Sequence, residues 1–390
     1  MTTIPDTREC EQLDETPLEE ALCRVARNVI FNIDYINWGI VKPQTELIGA
    51  QPTLSALNPV LSLLPPIFYD KETNYFSSGM QRSPTQFFPV TSGPPQINEI
   101  TQLTNQIGFA RAYDTGPISL AENSGIKGTL SLPMTFGSAE LTGFILQHAD
   151  SQVNLGGLPQ GSALNFPPDE NFAAIPVKVN ETTSGVIALY SQSFGAEFTS
   201  LVFGGEFNIV FNPIVPKDYG LLIRPLLGFR YLGIQEEFDV EASNAGVAPS
   251  TIQSRTINNI YGPQVGVRFE LVTQWFTIGA EPRVTLGVNQ FVSSLASSDP
   301  TIGNSSDRIA TDRFTPVGAF DLYAKIPIHD QVKLYFAYNL LGTGNISRPQ
   351  QQIDYNVDEV NGVITNDLHL SLAHSEFIVQ GFSAGLEFNF

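Results

Sequence analysis

FIVQGFSAGLEFNF, residues 377–390, is the stretch on which the reading of the fold turns. Ile378, Phe382, Ala384, Leu386, Phe388 and Phe390 share one parity; Val379, Gly381, Ser383, Gly385, Glu387 and Asn389 share the other. That alternation belongs to a β-strand with one apolar face and one wet face. A soluble sheet resting on a core produces the same pattern. A strand of about ten residues ending on an aromatic also fits a closed barrel in a bilayer, where neighbouring strands pair every backbone group. Only repetition along the chain separates the two.

The pattern does repeat. Phe31, Ile33 and Tyr35 alternate with Asn32 and Asp34 in 28–40, and shorter strands are expected at 126–132 and 139–146. A long extended stretch covers 185–211. Its parity slips: Glu197 and Thr199 are odd, whereas Glu206 and Asn208 are even. A bulge at Gly204–Gly205 keeps one strand there, and a hairpin makes two. The clearest segments are 219–237, 257–271, 275–289, 314–328 and 333–341.

Between them, short connections (133–138, 212–218, 273–274, 329–331) alternate with long ones (41–123, 147–184, 239–256, 292–313, 343–374). Short turns at one rim and long loops at the other mark an up-and-down membrane barrel. The fold class read from this is all-β: a transmembrane antiparallel β-barrel of about ten strands, or twelve if the hairpin and one further hidden strand exist. A soluble β-sandwich is the rival. Pro225, Pro263, Pro282 and Pro316 fall inside expected strands, so they should mark bulges or rims.

Composition agrees. Charged residues make up only 15 % of the 390, with 27 Phe and 32 Gly, and no apolar run nears the roughly 18 residues of a membrane helix. A net charge of −19 argues against a nucleic-acid partner. Residues 1–27 read as an acidic arm with a short helix, Thr16, Pro17 and Glu19 standing at N-cap, N1 and N3. Residues 28–390 then form the barrel, carrying the long loop 41–123. Cys10 and Cys23 allow one bridge or two free thiols. MTTIPDTREC lacks a signal-peptide pattern, so the numbering is expected to start near a mature end.

Four segments together carry a family likeness: SFGAEF (193–198), LLIRPLLGFRYLGIQEEF (221–238), NNIYGPQVGVRFE (258–270) and RVTLGVNQ (283–290). Their order and spacing resemble the outer-membrane barrels called beta-barrel porin-7. The likeness is good over 185–292 and looser at the first strand and the 126–146 hairpin. It implies fold and an outer-membrane location, and it supplies no catalytic residues.

With the polar parity turned inward, the lumen receives Asp34, Glu140, Glu197, Glu206, Glu270, Glu281, Asp321 and Glu387. Against them stand Lys127, Arg224, Arg230, Arg268, Arg283, Lys325 and Lys333. Of these, Glu206, Arg224, Arg230, Arg268, Glu270, Glu281, Arg283, Asp321, Lys325 and Lys333 are the expected pore-lining set. A barrel of about ten strands is narrow, so such side chains either plug it or leave a thin charged pore.

The acidic outer loop around Asp354, Asn356 and Asp358 offers oxygen ligands of the kind Ca²⁺ takes, in an order unlike an EF-hand, and no other cofactor is expected. His148 with Asp150, and His374, lie at outer strand ends, in the manner of Asp–His pairs in barrel-embedded proteases. No Ser or Cys motif accompanies them, so the chain is expected not to be an enzyme. The function read here is passive diffusion of small polar solutes or ions, biased to cations by the acidic loops. The alternative is a closed barrel anchoring surface loops for self-assembly or adhesion. The expected partner is the lipid bilayer of a bacterial outer membrane, with a homo-oligomer allowed.

Overall fold

The computed structural model describes residues 29–50, 67–70, 75–78, 109–157, 170–190, 192–215, 220–244, 246–300, 302–360, 363–364 and 368–389. The N-terminal arm, with its expected helix and its two cysteines, and most of 41–123 lie outside them.

Ten strands form the wall. They are β1 (Ile30–Ile40), β2 (Asn123–Met134), β3 (Gly137–Leu146), β4 (Ser193–Phe211), β5 (Gly220–Ser243), β6 (Ser250–Val272), β7 (Thr277–Thr285), β8 (Val317–His329), β9 (Val332–Ile346) and β10 (Ser375–Asn389). Each pairs antiparallel with the next, and β10 pairs with β1 from Val379–Ile40 to Asn389–Ile30, which closes the cylinder. The fold is a transmembrane up-and-down barrel of ten strands. Closure removes the sheet edges, the requirement for backbone inside a bilayer. Both described ends of the chain lie on the short-turn rim, since Ile30 and Val332 both face the end of β10.

An apolar belt circles this rim's half of the barrel. Ile33, Leu141, Phe207, Phe229, Val265, Val284, Leu322 and Phe336 all point outward and are exposed. Trp275, 72 % exposed, and Phe136 stand at the turns below. At about 3.3 Å per residue, the 24 residues of β5 reach about 80 Å along the strand, well beyond an apolar belt of about 25 Å. The wall therefore continues outside the belt.

That excess explains the parity slip in 193–211. β4 is one strand with an unbroken register to β5, without bulge or hairpin. Its even residues stay buried throughout: Phe194, Phe198 and Val202, then Glu206 and Asn208. The chemistry of the two faces exchanges instead. Below, the inside is polar and the outside apolar; above, the inside is a hydrophobic core and the outside is wet. β5 shows the same exchange, from outward Leu227 and Phe229 to outward Glu237 and Glu241, and from inward Arg230 to inward Ile234 and Phe238. Glu197 consequently lies on the outer face, where the amide of Gln152 reaches it at 3.4 Å, and its expected place in the lumen is corrected.

Several expected loops are paired structure. The 239–256 and 292–313 connections are mostly ladder, because β5 runs to Ser243, β6 starts at Ser250, and Val288–Asp299 pairs with Gly303–Phe314. Thr182–Tyr190 leaves the long stretch before β4 and joins Glu170–Val179 in a six-stranded sheet with Ile67–Asp70, Tyr75–Ser78, Phe109–Ala112 and Asn356–Val357. The prolines sit where ladders are interrupted. Pro225 lies just past the end of the β4–β5 pairing, Pro263 faces the Leu286–Gly287 break, and Pro316 separates Gly303–Phe314 from β8. Pro282 pairs with Phe320 on one side and faces a gap in the β6 register on the other.

The outward acids above the belt carry a pH consequence. Asp239 faces Glu197 across the ladder, and burial together with Glu237, Glu197 and Glu241 raises its pKa to about 6. Folding thus favours the protonated form. Stability should fall as pH rises from the ordinary aspartate range, near 4, through about 6. Asp239→Asn should flatten that slope and raise stability at pH 7. Chemical denaturation at pH 4.5 and 7.5 checks it; an unchanged slope refutes it.

Candidate functional site: the lumen

The ten residues of the expected pore-lining set turn into the barrel, and the walls bring them together across it. Arg268 on β6 donates two hydrogen bonds to Glu140 on β3, at 2.8 and 2.7 Å, and a third to Glu281 on β7. Arg283 on β7 reaches Glu206 on β4 at 2.7 Å and also bonds Asp321 on β8. Glu206 takes a further 2.7 Å bond from Arg230 and one of 3.0 Å from Gln264. Asn339 donates to Asp321 at 2.6 Å. The guanidinium groups span the interior, so this layer is a cross-braced septum. Arg224 and Arg268 are direct cross-strand partners, an unfavourable pairing of like charges that separate carboxylates relieve. Arg224 lies 3.5 Å from Glu270, and Arg268 holds Glu140.

Nearer the short-turn rim the lumen opens into a vestibule of about 420 Å³. There Lys325 and Lys333 both bond Glu387, at 2.6 and 2.8 Å. Tyr323 and Tyr335 stack with centroids 5.7 Å apart, and Tyr323 donates to Glu270 at 2.8 Å.

On the other side of the septum an apolar layer begins. Trp38 packs on Phe144, ring centroids 5.2 Å apart, and Val202, Leu232, Ile234, Ile260, Leu341 and Val379 join them in one buried apolar cluster. Still higher, the segment after β9 folds back into the barrel. The carbonyl of Pro349 accepts from Ser254, and the Ser347 backbone exchanges bonds with Asn258 at 2.8 and 3.0 Å. Arg348, 1 % exposed, makes a bidentate pair with Glu236 at 3.0 and 2.6 Å between the rings of Phe198 and Phe377. Sequence reasoning missed this pair. The available signal was Glu236, an acid on the inward parity between Ile234 and Phe238.

In the acidic loop two of the expected oxygen ligands face protein partners. Asp354 pairs with His369 in a short ladder, and the side-chain carbonyl of buried Asn356 accepts from the Glu181 backbone at 2.7 Å. Among the described residues no group of three or more His, Cys, Asp or Glu side chains has metal-holding geometry. His148 and Asp150 are exposed, and His374 lies edge-on to Phe291. Burial and Arg313 hold the His374 pKa below its usual range.

These features define a closed β-barrel of the outer-membrane type. The family model described as "Putative beta barrel porin-7" matches residues 124–390, more than half of the chain. The chain belongs to this family of porin-like outer-membrane barrels. No curated protein matches it. Among solved structures it is similar to the outer membrane protease OmpT from Escherichia coli, at 10 % identity and TM-score 0.47, over 93 % of this chain and 97 % of that one. It is also similar to the toluene transporter TbuX of Ralstonia pickettii, at 8 % identity and TM-score 0.21, over 93 % and 90 %. The expectation that the chain is not an enzyme, drawn from the missing Ser or Cys motif, is withdrawn: one of these similar barrels is a protease. Likenesses this distant assign no activity here.

Proposed function

We propose that this protein is a closed barrel of the bacterial outer membrane, seated in the lipid bilayer by its apolar belt, and that it anchors the outer sheet and surface loops. The observation that carries the reading is the apolar cluster across the upper lumen, continuous from Trp38 to Phe377 and pinned by the Arg348–Glu236 pair. Desolvated aromatic and aliphatic packing disfavours a wetted path, and the buried polar groups beside it are held by one another. The same cluster includes Ala173, Ile175, Val177 and Val357, so the strands Glu170–Val179 and Asn356–Val357 of the outer sheet share the barrel's core. A barrel whose interior continues into an outer sheet suits display and assembly at the surface.

Planar-bilayer recording on the full-length protein tests this. Silence is expected. Steady ohmic current with a cation preference would overturn the closed reading in favour of passive diffusion.

A further inference from the structure

The vestibule below the septum is a blind chamber whose solvent side is basic, although the chain carries a net charge of −19. Lys127, Arg224, Arg268, Arg283, Lys325 and Lys333 line it, six cations against five carboxylates. The count understates the asymmetry at the mouth. The side chains of Lys325 and Lys333 are 22 % and 33 % exposed, but the one carboxylate they share, Glu387, is 5 % exposed. Arg224 is 33 % exposed and its partner Glu270 is 9 %. Each acid sits behind its base, so a solute entering from the short-turn rim meets the cations first.

Two of these cations hold unused donors. The Nε group of Arg283 is buried and makes no hydrogen bond, that of Arg224 is ion-paired with Glu270 at 3.5 Å without the geometry of one, and Arg283 as a whole is 8 % exposed. A buried guanidinium N–H without an acceptor is costly and calls for one. One carboxylate between two ammonium groups is likewise under-neutralised in a wall of low dielectric. We infer that the vestibule is a binding site for a small oxyanion, a phosphate or a short dicarboxylate, held between Arg224, Lys325 and Lys333 at the short-turn end of the barrel. The paired oxygens of a carboxylate or phosphate suit a guanidinium fork, and the lysines supply point charges. The inference does not depend on whether the upper barrel is closed, because the same cations line the chamber in either case.

Calorimetric titration of inorganic phosphate and of succinate into the full-length protein in uncharged detergent tests it, with choline as the cation control. Saturable phosphate or succinate binding is expected, weakening with salt, and choline should give none. Lys333→Gln, at an exposed position, should weaken it about tenfold, which is about 1.4 kcal/mol. Glu387→Gln frees both lysines and should tighten it. A purely structural role for Glu387 would move folding and leave affinity unchanged, so the opposite responses of the two variants are diagnostic. Absence of saturable anion binding in the wild-type protein, or equal binding in both variants, overturns the proposal. Repeating the titration in bilayers of anionic and zwitterionic lipid separates free anion from headgroup. Binding lost only in anionic bilayers would assign the cations to lipid phosphate and overturn a free-anion site.

Discussion

Arg268→Glu is expected to destabilise the barrel by about 3–5 kcal/mol, the penalty for removing one partner from a buried ion pair, with repulsion added to it. Arg268 is the cation that Glu140 and Glu281 share from opposite walls, and its side chain is 14 % exposed. A glutamate there places three carboxylates in one layer and cuts the brace between β3 and β6. Urea unfolding in lipid vesicles, followed by the fluorescence of Trp38 and Trp275, reads the loss. Arg308→Glu is the control. Arg308 is exposed on the outer Gly303–Phe314 strand, and its substitution should stay within about 0.5 kcal/mol. Equal effects at the two positions would show that the septum braces nothing.

The second large effect belongs to Arg348→Met. Glu236, fully buried in the upper lumen, would lose both of its hydrogen bonds and keep its charge among apolar side chains. A cost of about 3–5 kcal/mol is expected again. The double variant Arg348→Met with Glu236→Leu separates charge from shape. Two apolar residues of similar volume between Phe198 and Phe377 should recover most of the loss, as replacement of a whole buried pair often does. If the double variant is no more stable than the single one, the guanidinium acts through packing against the two rings. The same pair of proteins in the planar bilayer shows whether the segment after β9 seals the lumen by charge or by bulk.

The strand count of ten, their order and the side each presents were legible in sequence because closure and the bilayer impose the same alternation on every wall strand. The stretch 377–390 already places Glu387 inside and Phe382 outside, and β10 does so with the rest. The family likeness rested on the wall strands too, where the alternation limits what a residue may be. That logic fails above the belt. Ser193–Phe211 keeps one parity buried from end to end, but the inside becomes apolar once the outside meets water, so "polar means inward" misplaces Glu197. Expected loops became strands for a related reason: backbone pairing continues past the membrane, where the alternation has reversed its sense.

Sequence alone determined the inward side of the four arginines at the belt, since an outward Arg at mid-bilayer costs roughly 2–4 kcal/mol and each had an inward parity available. What those charges do there was decided only by tertiary structure. Arg268 meets Glu140 across 128 positions of chain, and Arg283 meets Glu206 across 77. These partners stand on opposite walls, and alternation along one strand carries no information about what lies across a cylinder. The same holds for Arg348 and Glu236, 112 positions apart. Whether an inward arginine lines a passage or closes it depends on the barrel's width and on the segments that return into it, and both exist only when ten strands have closed.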